Sequence, residues 1–226
     1  MKNEKDVSQR ARTKPPPTKG IVVLGNLKGG CGKSTVVFNL AVWLATAGNR
    51  PILVDLDPQR TLSDLVAVRE EIGALPALDA PLHELPRLDG GLILVDQGAG
   101  GAAGVDKVLP EADLILVPVL PSQADIWATQ RYLKMALVRR KTGARIALFI
   151  NRAEPADTSR ETREAQAALK AMAAMCEGAV VLPATLGRRI AYCRSLSEGL
   201  GVFEIRDRKA ATEEFGRLAN ATMAML

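Results

Sequence analysis

Two lysines bracket a glycine-dense turn, Lys28-Gly29-Gly30-Cys31-Gly32-Lys33-Ser34-Thr35. Glycine at these positions lets the backbone curl so that successive N–H groups point inward at an anion, where a Cβ would obstruct. An apolar run, Ile21 to Leu24, leads in and an amphipathic run, Val36 to Ala47, follows at once. Strand, glycine loop and helix N-terminus together form a phosphate-binding layout, and the helix adds unpaired N–H groups and a positive dipole end. In such a loop Lys33 reaches the β- and γ-phosphates and the Ser34 hydroxyl ligates magnesium. Carboxylates recur at two later strand ends: Asp55 and Asp57 close Ile52-Leu53-Val54, and Asp96 closes Leu92-Ile93-Leu94-Val95. An apolar run ending in Asp is the arrangement that holds a phosphate-bound magnesium through water.

The elements that must position these residues alternate along the chain. Buried strands are expected at 21–24, from 51 into the acidic tip at 55–57, and at 91–96, 113–120, 144–151 and 179–182. Helices are expected at 36–47, 61–71, 123–141, 158–176, from Thr185 onward, and at 207–226. Alternation of this kind predicts an α/β fold with a doubly wound, mostly parallel sheet flanked by helices and a ligand at its carboxyl edge. Residues 1–19, basic and ending near Pro15-Pro16-Pro17, cannot bury enough apolar surface to fold and read as a disordered arm ahead of one domain, 20–226. The segment 73–90 reads as an irregular crossover. Its His83 has no partner at metal-ligand spacing and reads as a surface or packing residue.

Nearly half of the 226 residues are hydrophobic, 47%, enough for a sizeable core. No apolar run approaches the ~20 residues that span a bilayer and no signal segment opens the chain, so a cytoplasmic protein is expected. Three scattered cysteines imply no disulfide framework. Cys31, in the free position of the turn, reads either as an oxidation-sensitive thiol or as a small filler. The net charge of +5 is unevenly spread. Residues 20–124 carry seven Lys/Arg against twelve acids, whereas 125–226 carry seventeen against eleven. The basic half can face a polyanion, or its charges can simply be solvated helix faces.

The usual G-x-x-x-x-G-K-[ST] loop wants glycine where this chain has Leu27, and here Lys28 precedes the glycines instead. A second cation so close to Lys33 is tolerable when several phosphate charges lie between them. K-G-G-x-G-K-[ST] is the deviant Walker A motif. With Val54-Asp55-Leu56-Asp57-Pro58-Gln59 and the strand ending in Asp96, the chain resembles the ParA/MinD family of dimerising P-loop ATPases over about 20–226. Gln97-Gly98-Ala99-Gly100-Gly101 replaces the family's usual Thr-Pro-Pro. That glycine-rich switch, with Ser197-Glu198-Gly199-Leu200-Gly201-Val202-Phe203-Glu204, is similar to the small ParF-type partition ATPases.

The resemblance implies ATP and Mg2+ as cofactors, cradled by Lys28 to Thr35. It implies an ATP-dependent homodimer in which Lys28 crosses to the partner's nucleotide. Asp57 would orient the attacking water, although Asp57-Pro58 also reads as a turn with helix-capping duty. Asp55 would sit near the magnesium shell, Asp96 would hold the metal, Gly98 would offer its amide to the γ-phosphate, and Asn151 would contact adenine. Arg188, Arg189 and Arg194 fall where relatives hold non-specific nucleoid DNA, through phosphates alone. The implied function is slow, partner-stimulated ATP hydrolysis that segregates a plasmid or chromosome with a ParB/ParG-like centromere-binding protein. The alternative is the same machinery moving another cargo through an adaptor, a carboxysome or a chemoreceptor cluster. A MinD-like, membrane-associated division regulator is a third reading. It lacks support in the last helix, which carries no Lys or Arg after Arg217.

Overall fold

The computed structural model describes residues 19–87, 90–99, 102–154 and 159–226. The arm up to Thr18, the glycines at 100 and 101, and the expected helix start at Thr158 lie outside them. Each short apolar run forms a strand: β1 (Gly20–Leu24), β2 (Ile52–Asp55), β3 (Leu92–Asp96), β4 (Leu114–Val119), β5 (Arg145–Ala153) and β6 (Ala179–Gly187). They pair in parallel in the order β2-β3-β1-β4-β5-β6. The helices are α1 (Lys33–Thr46), α2 (Thr61–Glu71), α3 (Ala102–Val108), α4 (Gln123–Arg139), α5 (Arg160–Ala174), α6 (Ile190–Ser197) and α7 (Lys209–Met223).

Side chains alternate across the pleat, so β1 serves two cores at once. Val22 and Leu24 join α1, α2, α6 and α7 on one face, and Val23 joins α3, α4 and α5 on the other. Strands buried on both faces read as unbroken apolar runs, which is why they were legible. The connection leaving β1 runs toward the β2 edge and that leaving β4 runs to the opposite edge. A crevice therefore opens at the carboxyl ends of the central strands. In register, Leu24 and Asp55 both lie beside Asp96, so the glycine turn and two acidic strand ends meet there.

The last third departs from expectation. The strand expected to stop at Leu182 runs on to Gly187, so Thr185-Leu186-Gly187 do not open a helix. Leu182, Ala184 and Leu186 stay buried at a spacing of two, which only a strand provides. Pro183 is tolerated because β6 is the sheet edge. The helix begins at Ile190 instead, with Arg189 extended as its N-cap. The short α3 was not anticipated, because the glycines before it hide the helical pattern.

At the end of β1, Gly25 donates to the Leu116 carbonyl at 3.1 Å. A Cβ there would meet the Tyr132 hydroxyl at 1.7 Å and Gln97 Oε1 at 2.4 Å. These two buried groups hydrogen-bond each other at 2.7 Å, with Tyr132 donating. Gly25→Ala will therefore overpack a buried polar pair and cost about 2 kcal/mol or more in urea unfolding. A loss below about 0.5 kcal/mol would show that this approach does not constrain the fold.

Candidate functional site

The glycine turn joins β1 to α1, and its backbone takes left-handed conformations at Gly30 (φ 74°) and Gly32 (φ 95°). A Cβ on Gly32 would lie 2.4 Å from Asn151 Nδ2. Asn151, at the end of β5, donates that amide to the Cys31 carbonyl at 2.7 Å and accepts from the Arg152 N–H at 2.9 Å. It therefore braces the turn from behind. The reading of Asn151 as a base contact did not include this structural task.

Lys33 is 5% exposed, and its ammonium donates to the Lys28 carbonyl at 3.3 Å. Cys31 is fully buried and its thiol donates to the same carbonyl at 3.3 Å. Burial pushes that thiol's pKa up, so of the two sequence readings of Cys31 the filler stands and the reactive thiol does not. Lys28 is exposed, and its ammonium has no ion-pair partner among the described residues. Its backbone is fixed on both sides, since the Lys28 N–H also donates to Asn26 Oδ1 at 3.3 Å. Asn26 is anchored in turn on Pro118 O and Thr129 Oγ1 of α4.

The two acidic strand ends have different roles. Asp55 accepts from the Ser63 N–H at 2.9 Å, the Ser63 hydroxyl at 2.7 Å and the Asp57 N–H at 3.1 Å. Expected near a magnesium shell, it has both oxygens engaged by protein donors and secures the first turn of α2. Asp57 accepts from the Gln59 N–H at 2.9 Å, so it does make the turn that its sequence allowed. It also lines a cleft of about 400 Å³ with Gly29, Gly30, Lys33, Ser34 and Thr35. Gly98 passes close by, where a Cβ would lie 3.1 Å from the Asp57 Cα. A second cavity of about 260 Å³ adjoins it, walled by Gly32, Thr35, Asn151, Leu186 and Tyr192.

Asp96 has no such partners. It is fully buried, and neither carboxylate oxygen has a hydrogen-bond partner within bonding geometry among the described residues. Burial drives its pKa up from 3.8 to about 7; the charges of Asp55 and Asp57 add to the shift, while the Ser34 hydroxyl and Lys33 oppose it. An orphaned carboxylate beside a serine hydroxyl is a hard-oxygen donor pair suited to Mg2+. Among the described residues no group of three or more His, Cys, Asp or Glu could hold a metal. A magnesium ion held here by Ser34 and Asp96 would take its remaining ligands from phosphate and water, as Mg2+ commonly does.

Of the basic residues expected to meet a polyanion, Arg189 is committed elsewhere. Its guanidinium makes a bidentate pair with Glu214 of α7, at 2.9 and 2.5 Å. That pairing ties α6 to α7 and leaves little for an external phosphate. Arg188 is 74% exposed and only loosely paired with Glu154 at 3.5 Å. Arg194 is exposed on α6.

A family model described as CbiA, the CobQ/CobB/MinD/ParA nucleotide binding domain, matches residues 22–202. The chain belongs to this family. The maintenance of carboxysome distribution protein A of Halothiobacillus neapolitanus is 32% identical over 213 residues, 88% of this chain and 94% of the relative. The chromosome-partitioning ATPase Soj of Thermus thermophilus is 40% identical over 114 residues, 45% of this chain and 46% of Soj. Among solved structures, a variant of Cyanothece McdA in complex with ATP superposes with a TM-score of 0.69 at 17% identity, covering 89% of this chain and 95% of that one. The fold expected from the sequence is therefore the family's own: a parallel sheet flanked by helices, with the phosphate loop at its carboxyl edge.

The buried Asp96 predicts a pH dependence. A carboxylate whose folded pKa is raised favours the protonated fold, so the stability it gives is lost as pH climbs from about 4 to about 7. Asp96→Asn removes that loss. In thermal or urea unfolding without nucleotide, the variant's advantage over wild type will grow across this window, by at most about 1.4 kcal/mol per pH unit, and level off above it. An advantage that does not change with pH would contradict a buried, proton-binding Asp96.

Proposed function

We propose that this protein is a ParA-type ATPase that binds ATP with Mg2+, dimerises around the nucleotide and hydrolyses ATP to ADP and phosphate to position a cargo. The observation that carries the reading is Lys28, an exposed ammonium without an ion-pair partner among the described residues, whose backbone is pinned at the mouth of a phosphate turn. A cation held there and left unneutralised is suited to a phosphate arriving with another subunit. Lys33 and the turn amides would hold the β- and γ-phosphates, and Ser34 and Asp96 the metal. The cavity beside Asn151 would take the nucleoside base. Asp57, at the lip of the cleft, would orient the attacking water. Catalysis is positioning and charge neutralisation, with no covalent intermediate.

The near full-length likeness to a carboxysome distribution protein supports a cargo carried through an adaptor, with the dimer held on nucleoid DNA by phosphate contacts. The likeness to Soj over half the chain supports the runner-up, partition of a plasmid or chromosome with a ParB/ParG-like protein. The MinD-like alternative finds less support. The apolar face of α7, with Phe215, Leu218, Ala219 and Met223, is packed into the core rather than free for a bilayer. None of the helices among the described residues is long and apolar enough to cross a membrane.

Two measurements test this reading. In sedimentation velocity, wild type will shift from monomer to dimer with Mg·ATP and not with Mg·ADP, and Lys28→Ala will stay monomeric. A Lys28→Ala protein that dimerises as tightly as wild type would remove the trans role. On random duplex DNA, binding will need ATP and fall steeply with salt by counterion release. Reversing charge at Arg188 and Arg194 together will weaken it at least tenfold. DNA binding indifferent to salt and to both arginines would sink the DNA assignment.

A further inference from the structure

The stretch Gly199-Leu200-Gly201-Val202-Phe203-Glu204, which follows α6, is bound to both helices that leave the nucleotide loops. Arg69 of α2 is 1% exposed, yet all three nitrogens of its guanidinium donate hydrogen bonds. It donates to the Gly199 carbonyl at 3.0 Å, to the Pro76 carbonyl at 3.1 Å and to both Glu204 oxygens at 2.8 and 3.0 Å. Glu204 Oε2 also accepts from the Gly201 N–H at 2.7 Å. Gly199, at φ 61°, lies so close that a Cβ would sit 2.8 Å from the Arg69 backbone nitrogen. From α1, the fully buried Asn39 accepts from the Val202 N–H at 2.7 Å and donates to the Thr35 carbonyl at 2.8 Å.

Each strap begins at the nucleotide site. Thr35 belongs to the phosphate turn, and α2 is locked to Asp55 through Ser63 at its first turn. Each strap ends on the segment that holds the C-terminus of α6, the helix that exposes Arg194. A buried pair of this kind cannot open without leaving an uncompensated charge, so a displacement of α1 or α2 is carried to α6 rather than absorbed. Pairs this costly to desolvate specify geometry more than they add stability.

We propose that Arg69 and Glu204 are positioning residues that transmit the nucleotide state of the phosphate turn to α6, setting when its Arg194 can meet a polyanion. The inference rests on reading the site as an ATP switch. It assigns a task to the 199–204 stretch, which lines neither of the two cavities at the phosphate turn.

Hydrogen exchange on the full chain, with Mg·ATP against Mg·ADP, reads the coupling directly. In wild type, ATP will slow exchange of the 28–35 amides and of the α6 amides, each by at least fivefold. The paired substitution Arg69→Met with Glu204→Leu removes both charges and keeps apolar volume. It will keep the ATP effect at 28–35 but cut the α6 effect below twofold, and with it at least tenfold of the ATP preference of DNA binding. Glu204→Gln, nearer in shape, will show an intermediate loss and serves if the paired variant does not fold. Wild-type α6 amides indifferent to nucleotide would overturn the proposal, as would a folded variant whose α6 still responds fully. A wild type whose α6 responds to ATP while DNA is ignored would instead contradict the DNA-binding function and leave the coupling standing.

Discussion

Charges left unmet at the carboxyl edge of the sheet set the constraint on which the rest of the molecule depends. A buried ammonium, Lys33, has a carbonyl as its hydrogen-bond acceptor, and a buried carboxylate, Asp96, has only the nearby Ser34 hydroxyl and no firm hydrogen-bond partner among the described residues. Neither is where unpaired charge rests cheaply. The surrounding structure holds both in place: Asn151 behind the turn, Asn26 and Thr129 beneath it, and the β2–β3 register that sets Asp55 beside Asp96. A magnesium-bound triphosphate carries the complementary charges in the needed order, and Lys28 adds one more cation than a single nucleotide pocket in one chain requires. The family to which the chain belongs binds nucleotides, and this edge is where its residues converge.

What the sequence made legible was local. Glycines and lysines within one turn, and apolar runs ending in a carboxylate, carry their chemistry in consecutive residues. Strands buried on both faces announce themselves without any knowledge of neighbours. What stayed hidden depends on long-range approach. Arg189 looked available for DNA until folding brought Glu214, 25 residues away, into a bidentate pair with it. Asp55 stands beside Asp96 as a metal neighbour would, but its bonds to Ser63, eight residues on, were not legible. Gly25 carries no signal of its own in the sequence, because what requires a glycine there is Tyr132, more than a hundred residues later. The extension of β6 past Pro183 was missed because a proline punctuates a strand unless the strand lies at an edge, and edge position is a property of the whole sheet.

Buried hydrogen bonds link the helices that leave the nucleotide loops to the turn after α6. α1 and α2 start at the phosphate loops and converge on the turn after α6, while α4 reaches both Asn26 and Gln97 from the opposite face. Close-packed interiors respond to such straps as units rather than by gradual deformation. This arrangement gives a physical route by which the presence of a phosphate group can alter a surface far from it, without any new contact between ligand and surface.

The central claim is that magnesium and triphosphate together complete this charge arrangement. Calorimetric titration of ATP into the protein near pH 7, with and without Mg2+ and in two buffers of different ionisation enthalpy, tests it most directly. Binding with Mg2+ will be at least tenfold tighter than without, and will release protons as Asp96 gives up its own. Binding that is equally tight without Mg2+ and exchanges no protons, or no binding at all, would contradict the account.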